Sequence, residues 1–174
     1  MAKIIVYIAV SLDWQIARPD GAVDWLDKYN NVDYGYNDFI EGVDSVMLGY
    51  STYVKSLEFG PDVFKGRKHY VFTKKLGLKN YDTIEFVSGN LKEVVARVKS
   101  EATKDIWLMG GGELIKSFLA VDLVEELIIF VMPELIGSGI PLFVSSGTEL
   151  FFELKETESY KNGVVKLHYV SATK

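Results

Sequence analysis

The chain has 174 residues, 48% of them hydrophobic, with 19 basic against 24 acidic side chains for a formal charge of -5 and no cysteine. That length supports one sizeable core rather than two domains. The acidic balance argues against a general nucleic-acid or acidic-membrane binder, and the missing cysteine removes disulfides, thiolate catalysis and cysteine-held metals. His69 and His168, far apart in sequence, are poor material for a metal site, so none is expected.

Lys3 to Val10 is apolar and rich in β-branched residues, which predicts a central strand. It is too short to cross a membrane and lacks the flanks of a secretory signal, so the expected location is the cytoplasm. From Ser11 to Asn31, Pro19, Asp20-Gly21 and Asn30-Asn31 predict a long surface loop. Tyr36, Phe39, Ile40 and Val43 recur at helical spacing, so a helix is expected over Asp33 to Gly42. Ser45 to Leu48, His69 to Thr73 and Ile84 to Val87 read as further strands. Asn90 with Glu93 opens the most legible helix, whose face is Leu91, Val94, Val95, Val98 and Ala102. Strand thus alternates with helix, the pattern of a mainly parallel sheet.

Ile106 to Met109 reads as a strand buried on both faces, followed by Gly110-Gly111-Gly112 and then by Leu114, Ile115, Phe118 and Leu119 at helical spacing. A strand-to-helix turn without Cβ atoms lets a phosphate approach helix N–H groups, although the same glycines could serve only close packing. Gly49 with Ser51 and Thr52 is a second junction of this kind, and Thr73-Lys74-Lys75 adds cations after a third strand. No P-loop pattern is present, and Ile115 stands where a Rossmann fingerprint needs its last glycine. Asp33 reads either as a helix cap or as a buried acid facing a substrate. Trp14, Trp25 and Tyr34 are candidates to shape a pocket for a planar ring. Toward the end, Glu126 to Met132 is a strand stopped by Pro133, and Lys161-Asn162-Gly163 joins two strands as an antiparallel hairpin, giving about eight strands.

The motifs Ile8 to Ala17, Met47 to Tyr53 and Ile106 to Leu119, in this order, resemble the dihydrofolate reductase-like superfamily. Leu123 to Leu127 and the string Pro133 to Phe143 are most similar to the reductase domain of bifunctional riboflavin-biosynthesis deaminase/reductases and its stand-alone bacterial relatives. The resemblance implies a single-domain α/β/α fold with an eight-stranded, mostly parallel sheet and an NADPH-dependent oxidoreductase of a small heterocycle. The reduction of 5-amino-6-(5-phosphoribosylamino)uracil is the first expectation. Dihydrofolate or pterin reduction, and nucleotide binding without turnover, are the alternatives. It further implies that Ala9, Ile16 and Ala17 hold the nicotinamide, and that the Gly110-Gly111-Gly112 turn, with a cis Gly110–Gly111 peptide, takes the pyrophosphate. Gly49, Met109, Glu113 and Leu114 flank these positions. Ser51 and Thr52 would bind phosphate, and Thr73 with Lys74 would lie near the adenosine 2′-phosphate.

Three departures accompany the resemblance. Tyr50 replaces the usual 2′-phosphate arginine, which leaves NADH open as cofactor; Trp14 replaces a frequent glycine; and no zinc-deaminase signature occurs. Asp33 falls where dihydrofolate reductases keep their pteridine-binding acid, whereas Phe130 stands in place of its threonine partner. The expected catalytic acids are Asp33 and Asp13, and the expected substrate pocket is Trp14, Trp25, Tyr34 and Phe130. The expected partners are a small-molecule substrate and a second copy of the chain, with neither nucleic acid nor membrane.

Overall fold

The computed structural model describes residues 1–60, 63 and 65–172. Strand β1 (Ile4–Val10) runs through the middle of the sheet, where β-branched residues on both faces can be covered. Its parallel neighbours are β6 (Asp105–Gly110) on one side and β7 (Glu126–Val131) on the other. Beyond β6 lie, also parallel, β3 (Val43–Gly49), β4 (Lys68–Phe72) and β5 (Ile84–Val87). Beyond β7 the direction reverses into the hairpin of β10 (Val165–Ser171) and β9 (Phe152–Ser159). Among the described residues the eight strands therefore follow the order β5-β4-β3-β6-β1-β7-β10-β9. Gly163, at φ 87°, makes the expected Asn-Gly turn possible.

Period-2 alternation sends side chains to two cores. Ile106 and Leu108 of β6 join Ile4 and Val6, covered by Val95 and Val98 of α3 (Leu91–Glu101) and by Ile115 and Phe118 of α4 (Gly112–Leu119). Burying a side chain such as Phe118 contributes about 1.5–3 kcal/mol. On the other face, Val46, Leu48 and Val71 pack with Phe39 of α1 (Tyr36–Glu41) and Tyr53 of α2 (Tyr50–Ser56). The result is a sheet between two helical layers.

Three expectations change. β6 is not buried on both faces: Trp107 and Met109 are only half-buried because their face opens onto a cleft. The Ser11–Asn31 loop contains a short strand, β2 (Gln15–Ala17), and a 3-10 turn, Asp24–Tyr29. Strand β2 pairs antiparallel with β8 (Ile140–Pro141), so its partner lies over a hundred residues away and local pattern could not reveal it. The helix expected from Asp33 starts only at Tyr36, because Tyr34 and Gly35 take left-handed backbone at φ 52° and 79°. As expected, Asn90 caps α3, its Oδ1 accepting from the N–H groups of Lys92 and Glu93.

An ion cluster fastens α3 to the outer strands. Glu101 accepts from Lys68 Nζ at 2.8 Å, from the Tyr70 hydroxyl at 2.9 Å and from Arg97 at 3.2 Å. Lys68 above all holds the Glu101 carboxyl at about 2, below its ordinary 4.5. A carboxylate so depressed stabilises the fold above pH 4.5, and the contribution is lost as pH falls toward 2. With 39% of the Glu101 side chain exposed to screening solvent, we expect Glu101→Gln to cost about 1 kcal/mol, or roughly 2–4 °C, at neutral pH. Thermal melts across pH should show wild type and variant converging between pH 4.5 and 2.

Candidate functional site

The parallel strands end on the same side of the sheet, and their carboxyl ends open a continuous cleft, the usual ligand position of open α/β sheets. Its polar half, about 720 Å3, lies beyond β3, β4, β5 and β6. Its apolar half, about 450 Å3, lies beyond β1 and β6. Ser51, Thr52, Gly111 and Ile140 line both halves and so form the waist. A recess of about 420 Å3 continues from the apolar half and shares Tyr7, Ala9, Leu26 and Tyr36 with it.

The polar half is built as the glycine junctions suggest. Helix geometry leaves the N–H groups of Gly112 and Glu113 without intrahelical partners, and both residues line the cavity. Thr73 Oγ1 accepts from the Lys75 N–H at 3.0 Å, which turns the chain so that Lys74 and Lys75 both face this half. Lys75 Nζ sits 4.1 Å from the centroid of the Tyr50 ring. Among the described residues no carboxylate pairs with Lys74 or Lys75. Gly49, Ser51, Thr52, Thr73, Lys74, Lys75, Gly111, Gly112, Glu113 and Leu114 all line this half, together with Ser88 and Ser117, which the sequence patterns did not single out. Gly110 does not line it; its φ of 109° shapes the turn, and its peptide bond to Gly111 is cis.

The glycines also serve packing. A Cβ on Gly112 would run into the carbonyl oxygen of Pro141, and one on Gly139 into that of Ala17. These contacts let the string Gly137-Ser138-Gly139-Ile140-Pro141 lie on β2 and on the start of α4, which delivers Ile140 to the waist.

In the apolar half, Ala9, Ile16, Ala17 and Met109 line the wall as expected. Tyr7 and Trp107, which the sequence reading treated as plain strand residues, stand beside them. Phe39 stacks on Tyr7 with centroids 4.2 Å apart, and Trp107 Nε1 donates to the Tyr7 carbonyl at 3.1 Å. The Tyr7 hydroxyl donates to the Tyr34 carbonyl at 3.2 Å. Burial pushes this phenol above its usual range, with the Asp33 carboxylate adding to the effect, so it stays protonated at neutral pH.

Of the expected catalytic acids, Asp33 lines the recess with Tyr34 and Phe130. It is exposed rather than buried, and its Oδ1 accepts from the Asn37 N–H at 3.2 Å. The expected buried acid is therefore an exposed carboxylate beside the recess, and Gly35 rather than Asp33 holds the cap position, with Asp33 only satisfying an N–H in the first turn of α1. Asp13 does not line the cleft. Its carboxylate accepts from Ser11 Oγ at 2.6 Å and from the Ile136 and Gly137 N–H groups at 3.2 and 2.8 Å. The Ser11 hydrogen bond foremost holds it below the usual carboxylate range, as suits a loop fastener. Two expected pocket residues also lie elsewhere. Trp25 is 3% exposed inside a cluster with Tyr29, Phe130 and Val164, because the 3-10 turn points it inward. Trp14 has left-handed backbone, φ 58°, and its ring turns outward against Phe143. That backbone explains why glycine suits the position.

A dinucleotide fits this cleft on the structure's own terms: phosphate-seeking groups lie on one side of the waist, and ring-sized apolar space on the other. Among the described residues no group of His, Cys, Asp and Glu is arranged to hold a metal ion, and no helix is long and apolar enough to cross a membrane.

Residues 2–166 match the family model of the RibD C-terminal domain. The chain is 40% identical over 172 residues to the uncharacterised protein YwjB of Bacillus subtilis strain 168, covering 98% of both. Among solved structures, a candidate riboflavin biosynthesis protein from Shewanella sp. PV-4 superposes with a TM-score of 0.87 at 30% identity, over 98% of this chain and 99% of that one. A diaminohydroxyphosphoribosylaminopyrimidine deaminase/5-amino-6-(5-phosphoribosylamino)uracil reductase from Thermotoga maritima gives 0.76 at 14% identity, over 98% of this chain and 57% of the larger one. Dihydrofolate reductase from Enterococcus faecalis, complexed with NADP(H), gives 0.71 at 15% identity, over 98% of this chain and 96% of that one, a likeness of fold.

The backbone contact at Gly139 generates a test. In Gly139→Ala the Ala17 carbonyl must move, so we expect a loss of stability of about 1–3 kcal/mol in denaturant titration.

Proposed function

The chain belongs to the RibD C-terminal domain family, and from that premise we propose that it is an NADPH-dependent reductase of a small planar nitrogen heterocycle, of the kind 5-amino-6-(5-phosphoribosylamino)uracil reductases act on. The observation that carries the proposal is the waist at Gly111, where a half lined by hydroxyls, lysines and helix-start N–H groups meets an aromatic half in one cleft. The cofactor supplies a hydride to a C=N bond of the substrate, which also takes up a proton.

This chain's residues do the rest. The N–H groups at the start of α4 and the hydroxyls of Ser51 and Thr52 hold the pyrophosphate. The wall of Ala9, Ile16, Ala17 and Met109 orients the nicotinamide and keeps water from its reacting face. Lys74 and Lys75 hold the 2′-phosphate. Stacking on Tyr50 presets Lys75 for that role, in place of the arginine that the resemblance implied. Asp33, at the mouth of the recess, brings the proton through a bound water, while the protonated Tyr7 hydroxyl stays a donor.

Thermal melts and absorbance at 340 nm test the reading. NADPH at a hundredfold excess over its Kd is expected to raise Tm by roughly 5–10 °C, and a ribosylaminouracil or a dihydropterin, each with a bond left to take the hydride, to drive its oxidation. No shift with either NADPH or NADH would sink the cofactor claim, and binding without oxidation would leave a nucleotide-binding protein. We expect Lys75→Ala to cut the preference for NADPH over NADH about tenfold, measured as the ratio of Kd values. Asp33→Asn is expected to lower kcat at least tenfold, within the range of general-acid effects, while the Kd for NADPH stays within about twofold.

A further inference from the structure

We propose that the ring side of this cleft takes an uncharged planar heterocycle that carries no phosphate group. The proposal deepens the reductase reading and rests on its placement of the cofactor.

Charge around the cleft is divided at the waist. In the polar half, Lys74 and Lys75 are free of carboxylate partners among the described residues, and they stand with hydroxyls and helix N–H groups. Across the waist, the apolar half has a single charged residue among those described, Lys55. Its Nζ is already paired with Glu58 Oε2 at 2.8 Å. The adjoining recess also has one charged residue among those described, and it is an anion, Asp33.

A substrate with a ribose 5-phosphate, such as the one the Thermotoga protein is named for, would have to set its phosphate among Tyr7, Tyr36, Leu26, Phe59 and Trp107. It would find a lysine already paired with Glu58 on one side and a carboxylate on the other. An anion removed from water without a paired cation is strongly disfavoured, and a neighbouring carboxylate makes it worse. A neutral ring meets no such cost: the same walls offer ring faces and edges, and the Tyr7, Tyr34 and Asp33 groups offer hydrogen bonds at the recess. The cleft therefore selects on charge as well as on shape, with phosphate welcome only on the cofactor side.

Two ligands that differ by one group isolate the claim: 5-amino-6-ribosylaminouracil and the same compound bearing its 5′-phosphate. Calorimetric titration into the protein saturated with NADP+ is expected to show the unphosphorylated compound binding at least tenfold more tightly. Turnover with NADPH is expected to give the same order in kcat/KM. Equal or tighter binding of the phosphate ester overturns the proposal, and so does failure of both compounds and of a reduced pterin to bind a protein that does hold NADP+. If NADP+ itself fails to bind, the cofactor reading falls separately. The pair is then compared on the protein with inorganic pyrophosphate in excess to fill the polar half, and the same ordering still decides the charge selection.

Discussion

Two carbonyl oxygens, those of Ala17 and Pro141, occupy the space that side chains at positions 139 and 112 would need. Much of the cleft depends on this exclusion. It permits β8 to pair with β2, seats Pro141 on the first turn of α4, and brings Ile140 between the two halves. Asp13 secures the other end of the same string through the Ile136 and Gly137 N–H groups. Segments more than a hundred residues apart are thus closed over the sheet by main-chain contacts, with one carboxylate as a tie. The walls of the cleft are thus placed by main-chain contacts rather than by long side chains.

How much of this was legible in the sequence depended on whether the signal was local. The strands around β1, the cap at Asn90, the Asn-Gly hairpin and the glycine junctions are carried by neighbouring residues, and they stand where the pattern placed them. The resemblance in the motifs extended this to the fold and to the lining of the polar half. Tyr7 and Trp107 were missed because apolar strand residues look alike in sequence; only their place where the aromatic side chains of α1 leave part of the sheet face open to the cleft makes them lining. For Trp107 the signal was the alternation of β6, hidden because all of its central side chains are apolar. Trp14 and Trp25 misled for the opposite reason: a tryptophan in a loop suggests a pocket, but backbone direction sends one outward and the other into the core. Asp13 was chosen as an acid by position, and its three hydrogen-bond donors belong to a loop that arrives from far along the chain.

Electrostatic division follows from topology. The crossover helices begin at the carboxyl ends of their strands, so backbone N–H groups and short hydroxyl residues accumulate beyond β3 to β6. β1 instead runs into the β2 loop, and α1 reaches the cleft through aromatic side chains. The change from polar to apolar at the waist is therefore built into the order of the strands, and single residues such as Lys75 and Asp33 adjust it.

The sheet also ends in two open edges, and each is blunted. On one side β5 has only four residues, and its Glu85 is held by Lys68 and Arg97. On the other, β9 is long and exposed, but it presents Glu153, Lys155, Glu156 and Glu158. A neighbouring strand that tried to zip onto either edge would meet a short template or a row of solvated charges, and would have to strip water from them. Short length on one edge and charge on the other thus work against β-pairing between copies of the chain, independently of anything that happens in its cleft.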